Sequence, residues 1–209
     1  RGELRITAPV MFGSMFVTPI IGDYLDMYEH VTANAVFVDR SVNLIDEGLD
    51  VAIRIGNLPD SSLIATRVGT IRFVVFAAPD YLERHGTPAH PDELTDHKLI
   101  DPSPLGTGPY WRFRENGGSF SIRHTPRFQI NTIDAIRSQV ARGWGISRLR
   151  SYQIAPLIAD GSVVPLLEAF EPPPEPIHVI HQEGRLASAK VRSFVDYAVD
   201  RLRADPALN

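Results

Sequence analysis

His178 and His181, spaced H-x-x-H, are the one histidine pair in this sequence with a metal-ligand look. They fall in Ile177 to His181, an apolar run that reads as a strand, where positions i and i+3 face opposite ways and cannot close on one ion. Ordinary packing and solvent contact remain for them, and His85, His90 and His97 stand on expected loops and helix ends. The 209 residues contain no cysteine, which excludes disulfides, thiolate zinc, iron-sulfur clusters and cysteine nucleophiles. No G-x-S-x-G elbow occurs, and the only lysines, Lys98 and Lys190, sit in charged surroundings, so serine and Schiff-base chemistry lack a seat. Gly143-Trp144-Gly145 follows a helical pattern and precedes a strand, the reverse of a dinucleotide fingerprint, and no Walker lysine is present. The residues support no cofactor, no metal and no catalytic set.

Binding without chemistry has better footing. The turn Pro9-Val10-Met11-Phe12-Gly13-Ser14 lies between the first strand's carboxyl end and the first helix, where ligands sit in open α/β sheets. Backbone N-H groups there, with the Ser14 hydroxyl, would seat a carboxylate or small anion, unless Ser14 only caps its own helix. Asp39-Arg40-Ser41 follows the second strand, Arg54-Ile55-Gly56 ends the third, and Asn131-Thr132 precedes a later helix, so several segments leave strands on one edge. Arg40 and Arg54 either hold an anion as bidentate donors or pair with Asp39, Asp46 or Asp50.

The elements that position these residues alternate between strand and helix patterns. Leu4 to Ala8, Ala35 to Val38 and Val51 to Ile55 read as strands; a helix follows Gly13-Ser14 with Phe16, Ile20, Tyr24 and Met27, and a short one carries Leu44, Ile45 and Leu49. Ile71 to Ala78 reads as one long strand, followed by helices from Pro79 and Pro91. Around Asn116-Gly117-Gly118 two alternating strands form a hairpin. Helices follow on Ile133, Ile136 and Val140 and on Ile154 and Leu157. Val163 to Leu167 is a strand, residues 171–176 form a stiff proline-rich connector, and Val191 to Leu202 is a C-terminal amphipathic helix. With 44% hydrophobic and 22% charged residues the composition is globular, and no apolar run approaches a membrane span. The absence of a signal-like opening stretch points to a cytoplasmic protein without a membrane partner. The excess of 25 acidic over 21 basic side chains, net -4, argues against a nucleic-acid footprint on this chain.

The segment Arg40-Ser41-Val42-Asn43-Leu44-Ile45-Asp46-Glu47-Gly48-Leu49-Asp50-Val51-Ala52-Ile53-Arg54-Ile55-Gly56 resembles the effector-binding domain of LysR-type transcriptional regulators. So do Gly2-Glu3-Leu4-Arg5-Ile6, Ala78-Pro79-Asp80-Tyr81-Leu82 with His85-Gly86-Thr87-Pro88, Gly161-Ser162-Val163-Val164-Pro165-Leu166-Leu167 and Lys190-Val191-Arg192-Ser193-Phe194, in order along the chain. The resemblance implies an α/β, two-lobed type 2 periplasmic-binding-protein-like fold, with mixed sheets flanked by helices and joined by two crossover strands. Lobe I would take residues 1–72 plus 179–209 and lobe II residues 73–178. The crossings would fall near Arg72 to Val75 and Ile177 to His181.

A small organic effector, polar or anionic, would bind in the interlobe cleft. The family's contacts fall on Pro9, Val10, Met11 and Phe12, near Arg40, on Arg54, Ile55 and Gly56, on Pro102 and Ser103, and on Asn131 and Thr132. After Gly145-Ile146 the family continues with small or aliphatic residues, whereas here stand Ser147-Arg148-Leu149-Arg150; these arginines either favour an anionic effector or face solvent or a partner subunit. DNA would be bound only through a winged helix-turn-helix upstream of Gly2-Glu3-Leu4. The partners implied are the effector and a second copy, as a dimer or, in the full-length protein, a tetramer. The helix of Phe16, Ile20 and Tyr24 and that of Ile133, Ile136 and Val140 would make the subunit contact, unless their apolar stripes are fully used in their own lobes. The rival readings are a solute-binding protein of a transporter and an enzyme on the same two-lobed fold.

Overall fold

A computed structural model describes residues 1–59, 61–102, 108, 110–182 and 188–208. The chain divides into two compact units: Arg1–Ile71 with Glu175–Asn209, and Arg72–Pro174.

Unit 1 is built on a five-stranded sheet of β1 (Gly2–Ala8), β2 (Val31–Phe37), β3 (Val51–Ile55), β4 (Leu63–Ile71) and β12 (Glu175–Gln182), in the order β2-β1-β3-β12-β4. In β1 the side chains Leu4, Ile6 and Ala8 are buried while Glu3 and Arg5 are exposed, the alternation that sets one face of a strand on the core. β1 pairs in parallel with β2 and β3, and β12 runs antiparallel to both β3 and β4. The carboxyl ends of β1 to β4 therefore share one edge with the amino end of β12. The chain leaves unit 1 after Ile71 and returns at Glu175 on that same edge. Helix α6 (Ala189–Ala204) buries Val191, Phe194, Val195, Ala198, Val199 and Leu202, the three-and-four spacing of one helical face. Phe194 meets the ring of Tyr24 edge-on at 5.2 Å.

Helical structure begins earlier than the sequence suggests. Directly after Pro9 come the turn α1 (Val10–Phe12), a π turn at Gly13–Val17 and α2 (Thr18–Met27). Gly13 is not a breaker here: a Cβ at this position would lie 2.5 Å from the Phe37 ring, so only glycine lets β2 approach the helix. Ser14 consequently sits inside the helical run, exposed, and caps nothing. Leu44, Ile45 and Leu49 form turns rather than a helix, because the Asn43 side chain accepts the N-H groups of Ile45 and Asp46 and Gly48 takes φ +64°. The expected long strand Ile71 to Ala78 is broken at Arg72, the point of passage between units. The return falls at Glu175 because Glu175–Gln182 is one strand along the whole of β4. Glu175 and Pro176 thus belong to this strand and not to the connector. Pro176 lies beyond the β3 pairing, where its missing N-H costs no ladder bond on that side.

Unit 2 carries β5 (Phe73–Ala77), β6 (Leu99–Pro102), β9 (Phe128–Ile130), β10 (Ile146–Arg150) and β11 (Val164–Leu166) in the order β11-β5-β10-β6-β9, plus the separate hairpin of β7 (Tyr110–Glu115) and β8 (Gly118–Arg123). Asn116 and Gly117, with φ of 49° and 81°, form the two-residue turn that matches strand twist. Trp111 and Phe113 of the hairpin join Val75, Tyr81, Leu99 and Ile146 in one buried cluster; Ile136 and Val140 of α4 (Ile133–Ala141) and Ile154 of α5 (Ser151–Ala159) fill another with Val74, Phe76 and Ile100. β6, β9, β10 and β11 end on one edge, where β5 begins. After α3 (Pro79–His85), the segment starting at Pro91 is a 3-10 helix, Pro91–Asp96, rather than an α-helix.

Buried Tyr81 links these pieces: the Lys98 N-H donates to its hydroxyl, which shares a second hydrogen bond with His97 Nδ1 at 3.0 Å. Burial, then the nearby His85, hold the His97 pKa below its ordinary 6.5. A depressed histidine pKa in the fold means that stability is full above pH 6.5 and is lost as pH falls below it. Melting curves between pH 7.5 and pH 5 should show a steeper loss in the wild type than in His97→Gln; parallel pH profiles would contradict this role.

Candidate functional site

The carboxyl edge of the unit 1 sheet gathers most of the residues expected to bind a ligand, but in roles that differ from one another. The Val10 N-H donates to Asp39 Oδ1 at 3.0 Å. The helix N-terminus that looked like an anion seat is thus capped by a carboxylate from the chain end of β2, which answers the partial positive charge there. Val10 is exposed, Met11 half-buried, and Phe12 fully buried in the core with its ring 4.8 Å from Phe16.

Arg40 is pinned. Its two terminal nitrogens reach Glu47 Oε1 and Oε2 at 2.8 and 2.9 Å, a bidentate fork, and Nη1 also reaches the Ser41 carbonyl. Hydrogen bonding and charge from Arg40 hold the Glu47 carboxyl below its usual range. The structural partner is therefore Glu47, and not Asp39, Asp46 or Asp50. Arg54, by contrast, is half-buried on β3: Nη1 donates to the Ile53 carbonyl at 3.0 Å, while Nη2 is buried with no hydrogen-bond partner among the described residues. Burial lowers its pKa, Glu47 opposes that, and Arg40 adds to it; a guanidinium stays charged regardless. Ile55 is half-buried, and the Gly56 N-H is engaged by the Pro176 carbonyl at 2.9 Å with φ +106°.

On the unit 2 edge, Pro102 ends β6 in register with Ile130, which brings Pro102 next to Asn131. Asn131 and Thr132 are exposed at the start of α4, and no side chain caps that helix. Ser103 lies outside the described residues. Ser147 and Arg148 do not join this edge, because both stand inside β10. Ser147 is wholly buried and donates to the Ile100 carbonyl at 2.7 Å. Arg148 is 7% exposed, with its guanidinium over the rings of Phe73, Trp111 and Phe113 at 4.9 to 5.9 Å and Nη1 on the Arg112 carbonyl. It does not face solvent; it cements the hairpin to the sheet.

Sequence reasoning missed a buried polar trio beside Pro102. Trp111 Nε1 donates to Asp101 Oδ1 at 3.1 Å, and His124 Nε2 lies 3.3 Å from Asp101 Oδ2. These residues are far apart in the chain and follow no spacing rule, so one sequence carries no signal for them.

Residues 1–203 match the family model of the LysR substrate binding domain, and the chain belongs to that family. It is 31% identical to an HTH-type transcriptional regulator of Xanthomonas campestris pv. campestris over 98% of its own length and 61% of that relative's length. It is 28% identical to the regulator CrgA of Neisseria meningitidis serogroup C over 97% of this chain and 68% of CrgA. Among solved structures, the CrgA regulatory domain superposes with a TM-score of 0.83 at 28% identity, covering 97% of this chain and 99% of that one. The regulatory domain of AphB from Vibrio vulnificus gives 0.80 at 28% identity, over 95% and 98%. The mixed sheets with flanking helices are thus those of LysR regulatory domains.

Because Asp39 caps α1 across the edge, Asp39→Ala should destabilise the chain by about 1 kcal/mol in urea unfolding, with Asp39→Asn retaining most of the stability. An Asp39→Ala variant as stable as the wild type would show that the cap contributes nothing.

Proposed function

We propose that residues 1–209 are the effector-reading part of a LysR-type transcriptional regulator, binding a small organic ligand that bears an anionic group. The observation that carries the proposal is the buried Nη2 of Arg54 on the carboxyl edge of unit 1, which has no partner among the described residues. A buried donor without a partner costs on the order of 1–3 kcal/mol, and a carboxylate arriving there would recover it with a charge-assisted bond. Arg40 cannot offer the same, since Glu47 already holds both arms of its fork. On unit 2, the uncapped start of α4 at Asn131 and Thr132 offers free amides suited to a polar or anionic group.

DNA recognition belongs, in this reading, to a segment outside the 209 residues, because the curated relatives carry HTH-type names and the Xanthomonas relative extends well beyond the matched part. A cytoplasmic location follows from that role; no helix among the described residues is long and apolar enough to cross a membrane. Assembly with a second copy also belongs to the reading. Of the two stripes expected to make the contact, Ile20, Tyr24, Ile136 and Val140 are buried in their own units, while Phe16 and Ile133 are half-buried. Met15, Met27, Tyr28 and Val36 are among the exposed apolar residues of unit 1 and are available for that purpose.

A thermal-shift screen of small organic acids, amino acids and neutral aromatics tests the proposal. A carboxylate-bearing ligand at about 100 times its Kd should raise the melting temperature by roughly 5–10 °C. Arg54→Gln should weaken that ligand about tenfold or more without lowering the ligand-free melting temperature comparably. A screen in which only neutral compounds bind, or a variant with undiminished affinity, would overturn the assignment.

A further inference from the structure

The hairpin of unit 2 has an outer face that the effector reading does not use. β7 and β8 pair from Tyr110 opposite Arg123 to Glu115 opposite Gly118. Alternate positions, Trp111 with Ile122 and Phe113 with Phe120, turn toward the core. The remaining pairs, Tyr110 with Arg123, Arg112 with Ser121 and Arg114 with Ser119, are all exposed. Each arginine on this face stands opposite a hydroxyl and none opposite another arginine. Glu115, the hairpin's one acid, shares the alternation of Trp111 and Phe113, and its carboxylate lies 3.6 Å from His90 Nε2. Among the described residues no carboxylate pairs with Arg112, Arg114 or Arg123, and the neighbouring residues 103–107 and 109 include no acid. A chain of net charge -4 thus carries three guanidinium groups on one face of a two-stranded ribbon.

We propose that this face docks on the phosphate backbone of duplex DNA. Guanidinium groups and hydroxyls are the side-chain donors that phosphate contacts use, and arginine meets phosphate with two parallel bonds. Arg112 and Arg114, two residues apart on one strand, are separated by about 6.8 Å, a rigid spacing suited to a regular row of anions. An acidic protein partner fits less well: protein interfaces depend on a desolvated aromatic or aliphatic centre, and this face has only Tyr110, at its end. The surface itself is independent of the effector reading; the proposal rests on that reading only for naming duplex DNA as the polyanion within reach of a helix-turn-helix regulator. Such contacts carry no sequence information, so they add affinity and orientation to recognition made elsewhere.

The test is an NMR titration of the isotope-labelled 209-residue chain with a mixed-sequence duplex of about 20 base pairs, at low salt and again at about tenfold higher salt. Three phosphate contacts give a log-log salt slope of about -2.7, hence a loss of several hundredfold over that range. Amide shifts should cluster at 110–123, be the same for two unrelated duplexes, and vanish at the higher salt. The triple variant R112Q/R114Q/R123Q should abolish them with an unchanged melting temperature, and Arg114→Glu alone should weaken binding if the triple variant folds poorly. Shifts located elsewhere, retained binding in these variants, or poly-glutamate matching the duplex at equal charge would each overturn the proposal. The organic-acid thermal shift should survive the triple variant, so failure of the effector reading and failure of this one are read separately.

Discussion

Strand β12 lies hydrogen-bonded between β3 and β4, and the rest of unit 1 depends on that insertion. Among the described strands of its sheet it alone comes from the far end of the chain, and its Ile177 and Val179 are completely buried. Pairing with β3 sets the Gly56 N-H against the Pro176 carbonyl and so fixes where the chain turns after Arg54. Pairing with β4 sets Glu175 opposite Ile71, which brings the exit and the return of the chain to one edge. The same return delivers α6, whose apolar face covers Tyr24 of α2. A sheet that must wait for its C-terminal strand has many long-range contacts, and the order of its edge is a property of the finished unit, not of any local segment.

That edge shows how a fold separates charges that hold it together from charges left free to bind. Asp39 and Arg40 are adjacent in sequence, yet one caps a helix and the other is clamped by Glu47. Arg54 stands deeper, with one arm on its own backbone and one without a partner. Exposure alone would rank Arg40 as the better ligand for an anion. Satisfaction of hydrogen bonds ranks Arg54 first, since a group already bound in a fork gains little from a second anion, while a buried donor without a partner gains most.

Elements whose pattern is set locally were legible in the sequence. The α6 face is written in its periodicity, and Asn116-Gly117 announced the hairpin because few other residues accept left-handed φ at both positions. Elements set by tertiary contacts were not. Gly13 read as a helix boundary, whereas its lack of a side chain admits the Phe37 ring from another strand. β4, Leu63–Ile71, lacks clean alternation because it is an edge strand partly covered by the C-terminal turn: a Cβ on Gly69 would lie 2.3 Å from the Leu208 carbonyl. Asn43 diverted Leu44 and Ile45 from helix to turn by a side-chain bond that hydrophobic spacing does not register. Of the candidate ligand residues, those directly after strands landed on carboxyl edges as topology requires. Ser147 and Arg148 did not, because β10 extends past them to Arg150. Family membership was legible through the order of several weak segments, while the roles of Glu47 and Asp39 needed the turns that bring them to Arg40 and Val10.

Native-state hydrogen exchange tests the dependence of unit 1 on β12 most directly. If the insertion holds the sheet together, amides of Ile177 and Val179 in β12, Ile53 in β3 and Ile6 in β1 should open with a common free energy close to that of global unfolding. Opening of β12 and α6 at a free energy lower by about 2 kcal/mol or more, with β1 and β3 still protected, would contradict the account.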